Sequence, residues 1–307
     1  MAVSSGNAET AVGWTAFDPA WYRARHAAVL DLMDIPTDQL HDFYAEHGVA
    51  LRHSPNAFFD EEWYLATYPD VARQVAQGTW RSGFDHYLTT GLHTHSPHWL
   101  FDEHAYRAAY PDITPAMLAA GGYRNGYDHY LRVGDGEMRS GSCFFDPATY
   151  LATLPHGGAE AAARPYADCL LRGMAARPWQ GLSAYFDAGW YHDTYPEVQD
   201  DVAQGRFASA LHHYLCNPTP MAFDPGPFFS ESFYAAVNPD VLAAIESGAL
   251  RNGYAHFLRD GVHEQRKPCS ALDLADYMRD PAVQSDIATG RARDGFGHYL
   301  TARPDLR

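Results

Sequence analysis

The sequence predicts an all-α fold, a tandem array of about seven short three-helix repeats of about 42 residues. Three observations predict it. A Phe-Asp start recurs at Phe17, Phe59, Phe101, Phe145 and Phe186, continues as Phe229-Ser230 and returns altered as Leu272-Asp273, with successive spacings of 42, 42, 44, 41, 43 and 43 residues. Within a segment, proline and glycine punctuate apolar stretches at the length of two or three helical turns. The residue four before a recurring histidine is a good helix N-cap each time: Ser82 before His86, Asn125 before His129, Ser209 before His213, Asn252 before His256 and Asp294 before His298.

The second segment, "FDEEWYLATYPDVARQVAQGTWRSGFDHYLTTG", shows the elements in order. Asp60 caps a first helix, with Glu61 and Glu62 in its first turn where the helix dipole favours acids. Tyr64, Leu65 and Tyr68 give that helix an apolar face, and Pro69 ends it. Asp70 is expected to cap a second helix carrying Val71 and Val75, with Gly78 as its left-handed stop. A third helix starts at Ser82, carries Phe84, Tyr87 and Leu88, and stops at Gly91. Helices this short are marginal alone and must stack. The recurring Trp80, Tyr123 and Phe207, with Leu250 equivalent, and the tyrosine of each "HYL" are therefore assigned to a core shared between segments.

Some segments depart from the pattern. The first has Phe43 where histidine is expected and lacks the Pro-Asp step; the fourth has Asp168 and Cys169 in place of His-Tyr. The fifth ends in "CNPTPMAFDPGPF", where Pro218, Pro220, Pro225 and Pro227 forbid a regular helix. These breaks are the expected seams between two sub-bundles, residues 15–181 and 182–307, behind an N-terminal segment, residues 1–14, that is expected to be disordered.

A hydrophobic fraction of 46% provides ample core, and a net charge of -16 without a basic run argues against nucleic acid as a partner. No signal peptide and no membrane-spanning apolar stretch is visible, so membrane insertion is not expected and the expected location is the cytoplasm, with secretion by a route needing no cleaved signal left open. Cys143, Cys169, Cys216 and Cys269 are scattered singly, which fits a reducing compartment.

The pattern "FDxxWYLxxYPDVA", followed by "HYLxxG" and a Glu-x-Arg turn, resembles a short helical tandem repeat of bacteria. That repeat occurs beside glycosyltransferases of cell-surface polysaccharide synthesis and in some large secreted, often calcium-binding, proteins. The match spans roughly Phe17 to Leu300. It implies a surface-glycan context and brings no catalytic residues with it.

His86, His129, His213, His256 and His298 are expected to brace helices, bonded to backbone carbonyls or to carboxylates such as Asp70 or Asp112, with proton transfer as the functional alternative. His93, His95 and His98 in "LHTHSPH", with His86 one helix away, and the group His212, His213 and Cys216 are the metal alternatives. No EF-hand loop, nucleophile elbow or phosphate-cradling glycine loop is present, and no cofactor is expected. Glu137 with Arg139 and Glu264 with Arg266 fall at equivalent turns; the arginines either brace the turn or touch a ligand. Trp99 and Trp179 stand off the repeat register, as core residues or as recognition rings. The functional expectation is a non-catalytic scaffold or recognition module whose partner is a protein or a glycan. The alternatives are a carbohydrate-binding module and a glycan-modifying enzyme with its site at the fourth and fifth segments. The sequence leaves the oligomeric state open.

Overall fold

The computed structural model describes residues 12–154 and 163–302, and every regular element among them is helical. Residues 1–11 of the N-terminal segment expected to be disordered lie outside the described residues; Val12–Thr15 forms a 3-10 turn and Trp14 is buried. Two compact units divide the chain, Met1–Gly173 and Met174–Arg307. The division expected after residue 181 falls inside the second.

Each segment opens on a capped helix because its second residue has an oxygen to offer the orphan amides of the first turn. Asp18, Asp60, Asp102, Asp146, Asp187, Ser230 and Asp273 all cap in this way. The first helices include Glu61–Thr67, Glu103–Ala109, Ala188–Thr194 and Glu231–Val237. Tyr22, Tyr64, Tyr106, Tyr150, Tyr191 and Tyr234 sit at the same place on these helices and are fully buried.

Pro69 both ends the first helix and starts the second, Pro69–Ala76, as its first helical residue. Its missing N–H would have had no partner at that position, and its φ suits the turn. The bend itself is made by Tyr68 (φ -120°, ψ 78°), so Asp70 is not the cap that was expected; it lies inside the first turn and pairs with Arg73. Gly78 is left-handed, φ 76°, as expected of a stop. Thr114 and Asp280 do cap second helices, each followed by proline.

All five N-caps expected before the histidines are present: Ser82, Asn125, Ser209, Asn252 and Asp294 accept from amides three residues on. In the third and sixth segments the third helix widens into a π turn, Tyr130–Gly134 and Phe257–Gly261, which inserts one residue before the following turn. In the fifth, the prolines stop the helix at Cys216 and leave a 3-10 turn, Pro220–Ala222.

Neighbouring segments are tied at their starts. The amide of the capping residue donates to a carbonyl near the next start: Asp18 to Pro55, Asp60 to Pro97 and Asp102 to Gly141 in the first unit, Asp187 to Pro225 and Ser230 to Pro268 in the second. Side chains reinforce this within each unit. Tyr127 donates to the Phe58 carbonyl at 2.7 Å, and Tyr254 to the Tyr185 carbonyl at 2.7 Å. Asn125 donates to the Tyr87 hydroxyl and Asn252 to that of Tyr214. Tyr87, Tyr130, Tyr214 and Phe257, at the "HYL" position, are buried as expected, and Tyr299 is half-buried. Trp80, Tyr123, Phe207 and Leu250 are not in that core. They are half-buried, and the three rings lie edge-on to His86, His129 and His213 of their own segments.

Candidate functional site

The histidines face tyrosine hydroxyls, not the expected carbonyls. Nδ1 of His86, His129, His213, His256 and His298 lies 2.7–3.0 Å from the hydroxyl of Tyr64, Tyr106, Tyr191, Tyr234 and Tyr277, joining the third helix to the first. Carboxylates enter only at the far nitrogen: His298 Nε2 lies 3.2 Å from Asp286, and His213 Nε2 3.7 Å from Asp201. Burial holds His86, His129, His213 and His256 below the ordinary imidazole range, so they stand neutral at pH 7.

The two segments that lack this histidine, the first and the fourth, keep the bond and change the partner. In the fourth, Tyr150 donates to Asp168 at 2.5 Å. In the first, where Phe43 replaces histidine, the Tyr22 hydroxyl bonds Nδ1 of His53 at 2.7 Å, supplied from the following turn. Room for these hydroxyls comes from glycine. A methyl group added at Gly48, Gly91, Gly134, Gly173 or Gly261 would overlap the hydroxyl of that segment's tyrosine.

A second recurring bond was not legible in the sequence. Glu61, expected to serve only the dipole of its own helix, is 1% exposed and reaches across to the third helix, where the amides of Gly83 and Phe84 donate to it at 2.6 and 2.9 Å. Glu103 does the same for Gly126 and Tyr127, and Glu231 for Gly253 and Tyr254. Burial, opposed by these amides, pushes Glu61 up to about 7 and Glu231 up to about 8. Where Pro147 takes the place of the glutamate, Asp135 of the preceding turn accepts from Tyr166 and Ala167 instead. Where Ala188 takes it, the Pro178 carbonyl accepts from Ala210.

The turns after the third helices hold the remaining candidates. Met138 (φ 61°) and Gln265 (φ 54°) are left-handed, and the arginine after each reaches back to the step between the first and second helices. Arg139 bonds Glu137 through Nε at 2.7 Å and clasps both oxygens of Asp112 at 3.1 and 2.8 Å, with its guanidinium 4.8 Å from the Tyr110 ring centre. Arg266 repeats this with Glu264 and Asp240 and adds Asn238. The forked pairing holds Asp112 below the usual carboxylate range and Asp240 at about 2, and raises both arginines. Sequence reasoning missed Asp240 and offered Asp112 to a histidine instead of the arginine; the recurring Pro-Asp step was their signal. With two acids to one base, each cluster is net negative and turns partly exposed carboxylate oxygens outward. Such oxygens accept hydrogen bonds from hydroxyl, amide or ammonium groups and repel phosphate.

Trp99 is buried and donates to Asp60, while Trp179 is half-buried edge-on to His192. His93, His95 and His98 are not brought together: His93 is exposed, His95 leans on the Tyr68 ring, and His98 is buried with Nδ1 accepting from Leu100. His212 Nδ1 accepts from the amide of Ala208. Among the described residues no group of three or more His, Cys, Asp or Glu is arranged to hold a metal ion. A groove of about 200 Å³ lies between Phe17, Asp18, Asn56 and Phe58. Asp18 there already accepts from Ala20 and Trp21, and Asn56 donates to the carbonyls of Trp14 and Ala16. No helix among the described residues is long and apolar enough to cross a membrane.

No protein-family model, curated protein or solved structure matches this chain.

Proposed function

We propose that the chain is a non-catalytic scaffold or recognition module, built from seven copies of one three-helix block, that binds a protein or a glycan in bacterial surface-polysaccharide production. The observation that carries this reading is the commitment of the polar chemistry to internal bonds. The recurring histidines hold tyrosine hydroxyls and the buried glutamates hold helix starts. Turned outward in each compact unit is a fixed acidic turn, at Glu137, Arg139 and Asp112 and at Glu264, Arg266 and Asp240. These turns are the recognition surface in this reading, and the polysaccharide setting rests on the resemblance of the segments. A glycan array and affinity capture from cell extract, run with the parent chain and with the Arg139→Ala, Arg266→Ala double variant, test it. The variant keeps its helical signal and loses binding; equal binding by both chains removes the turns from the reading.

A carbohydrate-binding module is the second reading, favoured by the half-buried rings of Trp80, Tyr123 and Phe207 at matching places. Flat rings at repeat spacing are suited to stacking on sugars. Tryptophan fluorescence during oligosaccharide titration decides, with Trp80→Ala losing the response if the rings are the platform.

A further inference from the structure

The turn that carries Arg139 and Arg266 carries a histidine in the first segment, and it faces another histidine. His26 closes the helix Pro19–Arg25, and His53 follows left-handed Arg52. Their rings are stacked, with centres 3.9 Å apart and planes 10° apart. Other segments close the same place differently. Tyr68 meets His95 at 4.1 Å in the second, Tyr110 meets Arg139 in the third, Tyr195 meets Phe223 in the fifth, and Asn238 meets Arg266 in the sixth. Each of those pairs has at most one member able to carry positive charge. In the first segment both can.

The surroundings offer a protonated pair no relief. His53 Nδ1 is held by the Tyr22 hydroxyl, and Nε2 of His26 is buried without a hydrogen-bond partner. The charged group acting on both rings is Arg25, a cation. The acids of the next helix start, Asp60, Glu61 and Glu62, act electrostatically on Arg25 and Arg52. By contrast, His213, His256 and His298 each have an aspartate facing Nε2.

We propose that the stacked His26–His53 pair is an acid-sensitive latch that opens the first segment, residues 17–53, while the segments behind it stay folded. Opening exposes the cluster of Tyr22, Leu30, Leu40, Phe43 and Tyr44. Burial, the partner ring and Arg25 hold His26 at about 4, and burial and Arg25 hold His53 below the ordinary value. Both folded values lie below the unfolded one of about 6.5. The latch is therefore at full strength above about pH 6.5 and is lost as the pH falls toward about 4.

Amide hydrogen exchange read by mass spectrometry, corrected for the intrinsic pH dependence of exchange, tests this at about pH 7 and about pH 4.5. Protection across residues 26–53 falls at least about tenfold on acidification, and protection across residues 83–90 changes less than about threefold. His26→Tyr, which reproduces the pairing of Tyr68 with His95, keeps its protection at both pH values. Unchanged protection in the parent, an equal loss in both regions, or an equal loss in His26→Tyr overturns the proposal. Ring-proton NMR of the parent decides independently of whether that variant folds: two uncoupled imidazole titrations near the ordinary value also overturn it.

Discussion

Replacing Glu61 by leucine removes the acceptor for two amides, those of buried Gly83 and half-buried Phe84, at the start of a helix that puts His86 and Tyr87 into the core. Each buried amide left without a partner costs about 1–3 kcal/mol, so the pair predicts about 2–6 kcal/mol of destabilisation. For a unit of this size that lowers the melting temperature by about 5–20 °C. Glu61→Gln keeps one carbonyl oxygen, turns an NH2 toward the second amide and falls between leucine and the parent. Glu62 is the control. It is the adjacent residue, of the same type and in the same first turn, but exposed, and its leucine variant stays within about 0.5 kcal/mol of the parent. Urea unfolding followed by circular dichroism measures all three. The pH dependence has a defined sign. Burial places the folded value of Glu61 at about 7, above its unfolded value, so its protonation contributes stability that is complete below about pH 4.5 and is lost as the pH rises through about 7. The gap between the parent and Glu61→Gln narrows over that range. A cost below about 1 kcal/mol for Glu61→Leu, or an equal cost for Glu62→Leu, would refute the assignment of Glu61 as the helix clasp.

Tyr106→Phe removes the hydroxyl bonded to His129 and costs about 1 kcal/mol, read as a shift in urea midpoint at constant slope. Gly134→Ala sets a methyl against that hydroxyl and costs about 1–3 kcal/mol. The double variant costs less than the sum of the two, because the phenylalanine has vacated the space; strict additivity would show that the glycine serves something else. Arg139→Ala, at a turn whose carboxylates are half exposed, costs at most about 1 kcal/mol, and the loss shrinks in high salt.

The helical class and the caps were legible because they depend on neighbours within four residues: an oxygen at Ser82 or Asn125 serves an amide three positions on, wherever the rest of the chain lies. Asp70 was misread for an equally local reason. Proline at the first helical position lets the bend be made by Tyr68, and the acid behind it is no longer needed as a cap. Glu61 and His86 find their partners 22 residues away, across a loop, and no local pattern distinguishes a glutamate serving its own dipole from one clasping another helix. The turn cluster was half legible. Arg139 and Glu137 are two residues apart, but Asp112 is 27 away and reaches the arginine only after the second helix folds back. Trp80 and Tyr123 were assigned to the core on recurrence alone, and recurrence marks a common position without saying which side faces water.

The Tyr22 hydroxyl bonds a histidine that arrives from a later turn, and that of Tyr150 bonds an aspartate. The requirement at this place is for an oxygen or nitrogen lone pair within reach, with the side chain that brings it left open. Descendants of such a block are free to move their histidine, or trade it away, without losing the architecture. A search for such blocks by that letter alone would pass over the first and fourth segments, whose tyrosines keep their facing glycines, Gly48 and Gly173.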